Sequence, residues 1–453
     1  MTLNSGQQAA YDAVIQGKSI FITGPGGTGK SYLLNTLYNT LPIGRTASLT
    51  ALTGCAALLL HPKAKTIHSW AGIGLGKEPT PLLIANVRKS RRSCLRWIST
   101  DILVIDEISM MTPELFEKLD EVARKIRRND TPFGGIQLVL VGDFYQLPPI
   151  MKDEKETAFV FESPLWKKLG LTTYELIEIV RQKDPIFQEV LNQARKGDMT
   201  KTSLRTLSKR IGLDYKSHKI QPTMLFTRRA QVDTINMNHL KKLTTERRTF
   251  KATTIFVPTA NTEKLTEKDP FVQSTISKMD TDASYSAELI LAIGAQVMLL
   301  TNMNPEAGLV NGSRGVVVGY GKPEKTTPEK SEQPTPELEV PIVEFRNGFK
   351  LPISHSTWEV LPGILRRQIP LRLAYAITIH KSQGATLDCA LIDVGGHTFE
   401  YGQAYVALSR VRDLDSLYIH DLEAAAFRAH PKVKEFYSLS ITDANISSHE
   451  DCS

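Results

Sequence analysis

The sequence predicts an α/β protein with two parallel-sheet units, the second of which is interrupted by an antiparallel segment. Near-continuous apolar runs at 102–105 and 136–141 lie between helix-like segments, as expected for parallel strands that helices cover on both faces. Residues 290–362 instead alternate apolar and polar side chains between glycine turns, which is typical of a small antiparallel barrel. Strand-like runs return from residue 371, so we expect the barrel to be an insertion.

Length and composition limit the classes of protein. The chain has 453 residues, which suggests about three domains at roughly 150 residues each. Hydrophobic residues make up 41% and charged residues 23%, which excludes a collagen, a mucin or a mostly disordered chain. The net charge of +7 favours a polyanionic partner, though only modestly. The four cysteines are too widely spaced to predict a zinc site or a disulfide framework. Without a signal peptide or an apolar run of membrane-spanning length, we expect an intracellular, soluble protein without a membrane partner, whose compartment stays open.

The first predicted elements surround a glycine-rich loop. An apolar run at 19–23 predicts a strand that enters this loop, and the following helix, 31–41, ends at Pro42 because proline cannot continue it. Further on, residues 76–99 gather basic side chains around Trp97: Arg88, Lys89, Arg91, Arg92 and Arg96. This basic segment suits a solvated helix face as well as a polyanion contact.

A further helix has clear signals at both ends. Asp184 suits the N-cap, Pro185 the first helical position and Gly197 the stop. Its apolar residues recur at helical spacing and predict one buried stripe: Phe187, Val190, Leu191 and Ala194. Within the barrel segment, residues 322–339 are rich in Pro, Glu, Lys and Thr and predict a mobile loop, and the polar tail 439–453 predicts disorder.

The glycine-rich loop matches the phosphate-binding pattern G-x-x-x-x-G-K-[ST] in full, from Gly24 to Ser31. Glycines let the backbone curl so that successive N–H groups point at a phosphate, and the next helix adds its positive N-terminal dipole. We expect Lys30 to reach the outer phosphates and the hydroxyl of Ser31 to bind Mg²⁺. The loop therefore implies a ligand with several phosphates, bound together with Mg²⁺; the identification of this ligand as ATP comes only with the family resemblance below.

Polar residues follow two later strands. Asp106 and Glu107 come directly after 102–105, where Asp106 would hold the metal and Glu107 would orient and activate the attacking water. Gln146 follows the next strand, and its carboxamide could hydrogen-bond the terminal phosphate. On its own, Gln146 would as readily be an ordinary turn glutamine.

These motifs, in order and spacing, resemble those of the Pif (petite integration frequency) helicases, of the RecD-like branch of helicase superfamily one. The resemblance runs from about residue 3 to residue 438. The matching segments are Leu3-Asn4 with Gln7, Gly24–Ser31, Thr50–Ala57, Thr66–Gly72, Asp106–Ser109, Gly142–Pro149, Val180–Gln182, Ile379–Gly384 and Tyr405–Arg410.

The resemblance implies two RecA-like P-loop domains with a small wedge element and a barrel of the Src-homology type. The implied boundaries are 1–170 for the first RecA-like domain, with 76–99 as the wedge. The second RecA-like domain would comprise 171–289 and 363–438, separated by the barrel at 290–362.

The resemblance also assigns site residues. Lys30, Glu107, Gln146, Arg181 and Arg410 would be catalytic, with Arg181 and Arg410 reaching the γ-phosphate from the second domain as arginine fingers. Nucleotide would be bound by Gln7, Gly24, Gly26, Gly27, Thr28, Gly29, Lys30, Ser31, Gln383 and Gly384, and the metal by Ser31 and Asp106. DNA would be contacted by Thr53, Gly54, His68, Ser69, Asn311, Thr378, His380 and Lys381.

The implied activity is ATP-dependent translocation from five-prime to three-prime on single-stranded DNA, with unwinding of duplexes, forks or G-quadruplexes. Single-strand-binding or replication proteins are candidate partners, and the family default is a monomer. Three alternatives compete with this interpretation, and the length of the chain and the segment Tyr405–Arg410 argue against the first of them. A small-molecule kinase would need only one compact domain, a DNA-binding clamp would use ATP only as a switch, and a helicase–nuclease fusion would need an appended domain with metal-binding carboxylates.

Overall fold

A computed structural model describes residues 2–61, 63–149, 157–217, 220–257, 266, 268–282, 285–304, 306–323, 339–361, 364–396 and 398–439. Residue contacts divide the chain into two compact units. Unit 1 holds the described residues of 1–210, 394–414 and 421–439, and unit 2 holds those of 211–393 and 415–420. All of the predicted tail except residue 439, which ends a helical segment, and most of the predicted loop 322–339 lie outside the described residues.

Unit 1 begins as an alternation of strands and helices. Its strands are β1 (Ile20–Thr23), β2 (Ala47–Ala51), β3 (Lys65–Thr66), β4 (Ile102–Asp106), β5 (Gln137–Val141) and β6 (Thr172–Glu175). Its helices up to residue 210 are α1 (Ser5–Ile15), α2 (Lys30–Thr40), α3 (Gly54–Leu60), α4 (Ile67–Ala71), α5 (Thr80–Lys89), α6 (Arg91–Ser99), α7 (Pro113–Arg127), α8 (Pro164–Lys168), α9 (Pro185–Lys196) and α10 (Lys201–Ser208).

The six strands form one parallel sheet in the order β3-β2-β4-β5-β1-β6. Successive side chains of the central strands alternate between two apolar clusters, with Leu103 and Ile105 in one and Ile102 and Val104 in the other. Both faces of the sheet are therefore buried, as the continuous apolar runs of the sequence predict. In this order β5 separates β1 from β4, and their carboxyl ends share one edge.

The structure confirms the predicted start, end and buried stripe of helix α9. The side chain of Asp184 accepts the backbone N–H of Ile186, and Gly197 ends the helix at φ 74°, a left-handed conformation that glycine adopts without strain. The predicted stripe of four apolar residues is buried, as is Arg195. The prediction placed this helix in the second domain, whereas its contacts group it with unit 1.

The remaining elements belong mainly to unit 2. Its strands are β7 (Thr223–Phe226), β8 (Arg247–Lys251), β9 (Thr253–Phe256), β10 (Glu288–Ala292), β11 (Gln296–Leu299), β12 (Arg314–Gly321), β13 (Val340–Phe345), β14 (Lys350–Pro352), β15 (Ser356–Leu361), β16 (Ile364–Gln368), β17 (Leu371–Leu373), β18 (Ala376–Thr378), β19 (Ala390–Val394) and β20 (Leu417–Leu422). The helices that follow α10 are α11 (Arg229–Lys242), α12 (Pro270–Asp282), α13 (Ile379–Ser382) and α14 (Gln403–Leu408), of which α14 lies in unit 1.

Unit 2 contains a four-stranded sheet, β18-β7-β19-β20, in which β7 pairs in parallel with β18 and β19. It also contains antiparallel sheets of five, three and two strands, ordered β14-β13-β12-β11-β17, β15-β16-β9 and β10-β8. The predicted antiparallel segment, 290–362, is therefore too narrow. Strands β8 and β9 pair with β10 and β16, and β17 pairs with β11, although the sequence of β17 resembles a parallel strand.

The chain returns to unit 1 after β19. Helix α14 and a helical segment at 431–439 both belong to unit 1, whereas the prediction assigned 363–438 to the second domain. The reason is aromatic packing. Phe436 stacks on Phe161 with ring centroids 4.4 Å apart, and Tyr437 stacks on Tyr145 at 4.9 Å. These contacts bury Tyr437 and half-bury Phe436 among residues of unit 1.

The basic segment 76–99 folds as the pair α5 and α6. Trp97 is fully buried, and its indole N–H donates to the carbonyl of Ala71 at 3.0 Å. Arg96 donates to the carbonyls of Trp70 and Ser69, whereas Arg88 and Arg91 are exposed. The segment thus divides into a buried anchor and an exposed basic face. None of the helices in the described part of the chain is both long and apolar enough to span a bilayer.

Candidate functional site

The phosphate-binding loop connects β1 to α2 at the carboxyl edge of the parallel sheet. Its third glycine, Gly27, has φ 91°, and a Cβ there would lie 2.7 Å from the Cβ of Arg181, so only glycine fits. The carbonyl of Gly27 accepts the N–H groups of Val180 and Arg181 at 2.9 and 3.1 Å. The loop is therefore held from outside by the segment that carries Arg181.

Lys30, the first residue of α2, is held by the loop itself. Its Nζ donates to the carbonyls of Gly24 and Pro25 at 2.6 and 2.9 Å. Burial lowers the pKa of Lys30, and the negative charge of Asp143 opposes this effect. These two hydrogen bonds hold the ammonium against the carbonyls at the start of the loop. Ser31 is exposed at the start of the same helix, and Thr28 is buried.

Gln7 lies against the loop from the N-terminal side. Its Nε2 donates to the carbonyl of Thr28 at 3.1 Å, and the side chain is 4% exposed. A capping box with Asn4 at the start of α1 orients the amide, since the two residues exchange hydrogen bonds. A Cβ at Gly29 would lie 2.6 Å from Nε2 of Gln7, so the two positions are packed together.

Asp106 and Glu107 end β4 at the same edge of the sheet. Asp106 is buried, and burial together with the neighbouring Glu107 raises its pKa to about 7. Its carboxylate accepts the N–H of Glu107 at 2.8 Å. Glu107 itself adopts φ 56°, a left-handed conformation that is strained for a residue with a Cβ and occurs preferentially at functional sites.

The segment after β5 contains an ion pair that the sequence analysis missed. Asp143 is fully buried and accepts two hydrogen bonds from Arg195 of α9, each at 3.0 Å. A third nitrogen of Arg195 contacts Glu175 at 3.2 Å. The hydroxyl of Tyr437 accepts the N–H of Phe144 at 3.1 Å and lies 2.6 Å from the hydroxyl of Thr23, the last residue of β1. This group, which we call the Asp143 clamp (Asp143, Arg195, Tyr437 and Thr23), joins β1, β5, α9 and the segment 431–439.

Sequence signals could have indicated part of this clamp. Asp143 lies within the segment Gly142–Pro149 that matched the helicase motifs, but its partner Arg195 looked like an ordinary basic residue in the last turn of α9. Nothing local marked Tyr437. Gln146, the predicted phosphate sensor, is 6% exposed, and its backbone N–H donates to the carbonyl of Asp143 at 2.9 Å.

Both predicted arginine fingers lie in unit 1, with the phosphate-binding loop. Arg410 is 2% exposed. It donates to the carbonyl of Val406 at 2.8 Å and to the hydroxyl of Ser409 at 2.7 Å. Arg181 donates to the carbonyl of Ser409 at 3.3 Å. Burial and the nearby Arg181 lower the pKa of Arg410 to about 10, and burial also lowers the pKa of Arg181. A buried cation and a half-buried cation that disfavour each other's charge mark a place where an anion would be stabilised.

Tyr405 provides a direct contact between α14 and the loop. Its hydroxyl accepts the N–H of Gly26 at 2.8 Å, and the ring is 2% exposed. Burial raises the pKa of this hydroxyl to about 12, so it stays protonated at neutral pH. Tyr405 lies in the matching segment Tyr405–Arg410, but the sequence alone indicates no role for its hydroxyl.

The predicted DNA contacts fall in both units. In unit 1, Thr53 caps α3 by accepting the N–H of Ala56, Gly54 has open space at its Cβ position, His68 is half-buried and Ser69 is exposed. In unit 2, Thr378 caps α13 by accepting the N–H of Lys381 at 3.2 Å, and His380 and Lys381 are half-buried on the same turn.

Three further predicted residues also lie in unit 2. Asn311 donates to the carbonyl of Leu300 at 2.8 Å, just before β12. Gln383 and Gly384, predicted to bind nucleotide, follow α13 directly; Gln383 is buried, and Gly384 has φ 78°.

Unit 1 has the arrangement that defines P-loop proteins, because its phosphate-binding loop leaves the carboxyl end of a parallel strand and an acidic pair ends a strand of the same sheet. Sequence comparison gives the particular family. The family model described as PIF1-like helicase matches residues 2–204, and the model described as DNA helicase Pif1, 2B domain, matches residues 277–320. The chain belongs to the PIF1-like helicase family.

Known proteins support this assignment. Over 440 residues the chain is 40% identical to the ATP-dependent DNA helicase PIF1 of Danio rerio, covering 96% of this chain and 63% of that protein. The crystal structure of Pif1 helicase from Candida albicans is 33% identical, covers 97% of this chain and 99% of its own, and has a TM-score of 0.77. The structure of Pif1 helicase from Bacteroides in complex with ADP-AlF3 and single-stranded DNA is 27% identical, covers 98% of this chain and 99% of its own, and has a TM-score of 0.69.

These comparisons confirm the predicted family and the predicted α/β fold with a parallel-sheet RecA-like core and additional antiparallel sheets. The chain spans about 63% of the length of the Danio rerio relative.

Proposed function

We propose that this protein is an ATP-dependent DNA helicase that hydrolyses Mg-ATP at the phosphate-binding loop of unit 1. The observation that carries the proposal is the convergence of Lys30, Arg181 and Arg410 on the loop and the adjoining α14 segment. Three cations around one glycine-rich loop suit a nucleoside triphosphate better than a singly charged ligand, because negative charge spreads over the phosphate oxygens during transfer.

Each residue of the site has a role in this reaction. Lys30 and the loop N–H groups bind the phosphates, and Gln7 is placed to contact the base. Glu107 orients the attacking water and receives its proton. Arg181 and Arg410 stabilise the charge that develops on the γ-phosphate, and Gln146 contacts it as a sensor. Enzymes commonly couple hydrolysis to a conformational change in this way, because the site is complete only when all of its catalytic groups are in place.

The polar residues beside the phosphate-binding loop are of the kind that binds Mg²⁺. Asp106 is a buried carboxylate whose pKa is raised to about 7, so a cation beside it would stabilise the charged form. The exposed hydroxyl of Ser31 is a second oxygen ligand of the kind that Mg²⁺ takes. When bound, the metal neutralises phosphate charge. Asp106 and Ser31 would hold it.

We propose that the polymer substrate is single-stranded DNA. Thr53, Gly54, His68 and Ser69 would contact it from unit 1, with Asn311, Thr378, His380 and Lys381 contacting it from unit 2. Small polar side chains and backbone at helix N-termini suit phosphate contacts that do not depend on sequence. The Bacteroides relative was crystallised with single-stranded DNA, which supports this substrate class.

The finer activity follows the family. We propose translocation from five-prime to three-prime, with unwinding of forks, duplexes and G-quadruplexes. Such an activity would serve replication, repair, recombination or telomere maintenance, with single-strand-binding or replication proteins as partners of a monomeric enzyme.

Strand separation on two matched duplexes tests the proposal, one with a five-prime tail and one with a three-prime tail. We expect ATP-dependent unwinding of the five-prime-tailed duplex alone. Lys30→Ala should abolish both unwinding and hydrolysis while it leaves strand binding largely intact. Unwinding from the three-prime tail would reverse the proposed direction. DNA-stimulated hydrolysis without strand separation would replace the helicase with a clamp that uses ATP as a switch.

A further inference from the structure

The hydroxyl of Tyr405 has no role in the mechanism above, although it contacts the phosphate-binding loop directly. It accepts the N–H of Gly26 at 2.8 Å. A Cβ added at Gly26 would lie 3.6 Å from this oxygen and 3.6 Å from Oγ of Ser409. Two hydroxyl groups of the segment that carries Arg410 therefore face the same residue of the loop.

The hydrogen-bonding capacity of Tyr405 is only partly used. A phenol hydroxyl offers one hydrogen to donate and lone pairs to accept with, and the Gly26 N–H uses only an accepting position. Among the residues that the structure describes, none accepts the donated hydrogen. The ring is 2% exposed, so water has little access to it. A buried donor without an acceptor is unfavourable, which indicates that a ligand atom belongs there.

The charges around the hydroxyl indicate what that ligand atom is. Arg181 and Arg410 both donate to Ser409, four residues after Tyr405; Arg410 is buried and Arg181 is half-buried. Lys30 holds the other side of the loop through Gly24 and Pro25. Because the buried Arg410 and the half-buried Arg181 and Lys30 lie along the same loop and the Ser409 segment, an anionic oxygen would match this donor best.

We propose that Tyr405 is a further nucleotide-binding residue, whose hydroxyl donates to an oxygen of the terminal phosphate of a nucleoside triphosphate while it still accepts the Gly26 N–H. The inference rests on the proposed function and adds a residue to that site. The loop residues that lead into α2 have N–H groups that suit the inner phosphates of a nucleotide. Gly26 comes before these residues in the loop. The two arginines that we assign to the γ-phosphate belong to the same neighbourhood as Tyr405.

If Tyr405 binds the terminal phosphate, it should distinguish a nucleoside triphosphate from a diphosphate. A residue that only supported the loop would not distinguish them. A diphosphate lacks the terminal phosphate, so Tyr405 would bind triphosphate and leave diphosphate unaffected. It would also hold α14, and with it Arg410, against the loop more firmly while a triphosphate is present. Tyr405 would thus favour release of the product after hydrolysis.

Tyr405→Phe tests this selectivity because it removes only the hydroxyl. Binding of ADP and of a non-hydrolysable β,γ-imido triphosphate is measured on the full chain, with Mg²⁺ present. We expect the variant to bind the triphosphate analogue about ten-fold more weakly, the scale of a hydrogen bond to a charged group. Its affinity for ADP should change by less than about two-fold.

Tyr11→Phe is the matched control. Its hydroxyl makes one hydrogen bond in unit 1, to Thr40 at 2.9 Å, so the chemical change is the same. Binding of both nucleotides should be unchanged. Replacing Tyr405 by 3,5-difluorotyrosine, a stronger donor, should tighten binding of the triphosphate analogue and gives a second test if the Phe variant folds poorly.

Either of two results would overturn the proposal. Equal weakening of ADP and of the analogue would mean that Tyr405 only supports the loop. Unchanged binding of both would mean that the hydroxyl contacts neither. Because these readouts are binding constants, they remain separate from the proposed function. That function would fail instead if the wild-type protein bound the analogue but hydrolysed no ATP with or without DNA.

Discussion

At the scale of single residues, the site depends on side chains whose burial changes their chemistry. Arg410 is a cation with little access to water, and burial and the nearby Arg181 both disfavour its charged form. Preorganised donors of this kind stabilise a transition state strongly because they need no rearrangement when charge develops. The same burial means that truncating Arg410 affects chemistry more than binding, since the loop and Lys30 still hold the nucleotide.

We therefore expect Arg410→Ala to bind ATP with nearly normal affinity but to hydrolyse it roughly 10³–10⁵-fold more slowly, the range measured for arginine fingers. Arg412→Ala, which changes an exposed arginine two residues further on, is the control and should keep the wild-type rate. Steady-state hydrolysis and nucleotide binding are measured for both. A wild-type rate in Arg410→Ala would remove this residue from the catalytic site.

At the scale of elements, the Asp143 clamp joins parts of unit 1 that are distant in sequence. Asp143 follows β5, Arg195 belongs to α9 and Tyr437 lies at 431–439. The guanidinium of Arg195 also lies over the rings of Tyr145 and Tyr437, 4.8 and 5.5 Å from their centroids. Charge pairing, hydrogen bonding and aromatic contact thus coincide, and the loop after β5 that carries Gln146 is fixed by them.

Removing one partner of this ion pair should be costly. In Arg195→Met the carboxylate of Asp143 stays buried without its counter-ion and keeps only hydrogen bonds from the N–H of Tyr145 and the hydroxyl of Tyr437. We therefore expect the free energy of unfolding of unit 1 to fall by about 3–5 kcal/mol. Arg195→Met combined with Asp143→Leu should recover much of this stability, because both charges are gone. Urea denaturation measures both variants. An undiminished stability in the single variant would show that the pair contributes nothing.

The pair α5 and α6 shows how one sequence segment serves two purposes. The aromatic rings of Trp70 and Trp97 lie 4.4 Å apart and anchor the pair, whereas the basic residues at the junction of the two helices reach solvent. Basic residues on an exposed face contact phosphates without reading sequence, and they release counterions when DNA binds.

We expect the double charge reversal Arg91→Glu and Arg92→Glu to weaken binding of single-stranded DNA. The salt dependence of that binding should also fall, by about one unit of slope for each phosphate that is no longer neutralised. The double reversal Lys167→Glu and Lys168→Glu, at an exposed pair in α8 of the same unit, is the control and should leave the slope unchanged. Fluorescence anisotropy at several salt concentrations measures both. An unchanged slope in the first variant would make α5 and α6 a solvated face.

At the scale of the whole molecule, the chain belongs to the PIF1-like helicase family, and the proposed unwinding activity requires both of its units. Unit 1 contains the phosphate-binding loop, the acidic pair and both arginines. Unit 2 contains Thr378 at the end of β18, His380 and Lys381 on α13, and the antiparallel sheets. A helicase needs a nucleotide site and strand contacts that respond to it, so the tailed-duplex experiment is the test that engages the entire chain.

The sequence by itself determined the local features. The loop Gly24–Ser31, the caps of α9 and the continuous apolar runs of β4 and β5 follow from backbone conformation and hydrophobic periodicity, which act over a few residues, and the ordered motifs indicated the family. Only the tertiary structure decided which distant segments meet. It paired β8 and β9 with strands of the antiparallel region, joined Arg195 to Asp143, and packed α14 and 431–439 into unit 1. Such contacts depend on burial and charge pairing between residues far apart in the chain, for which no single segment carries a signal.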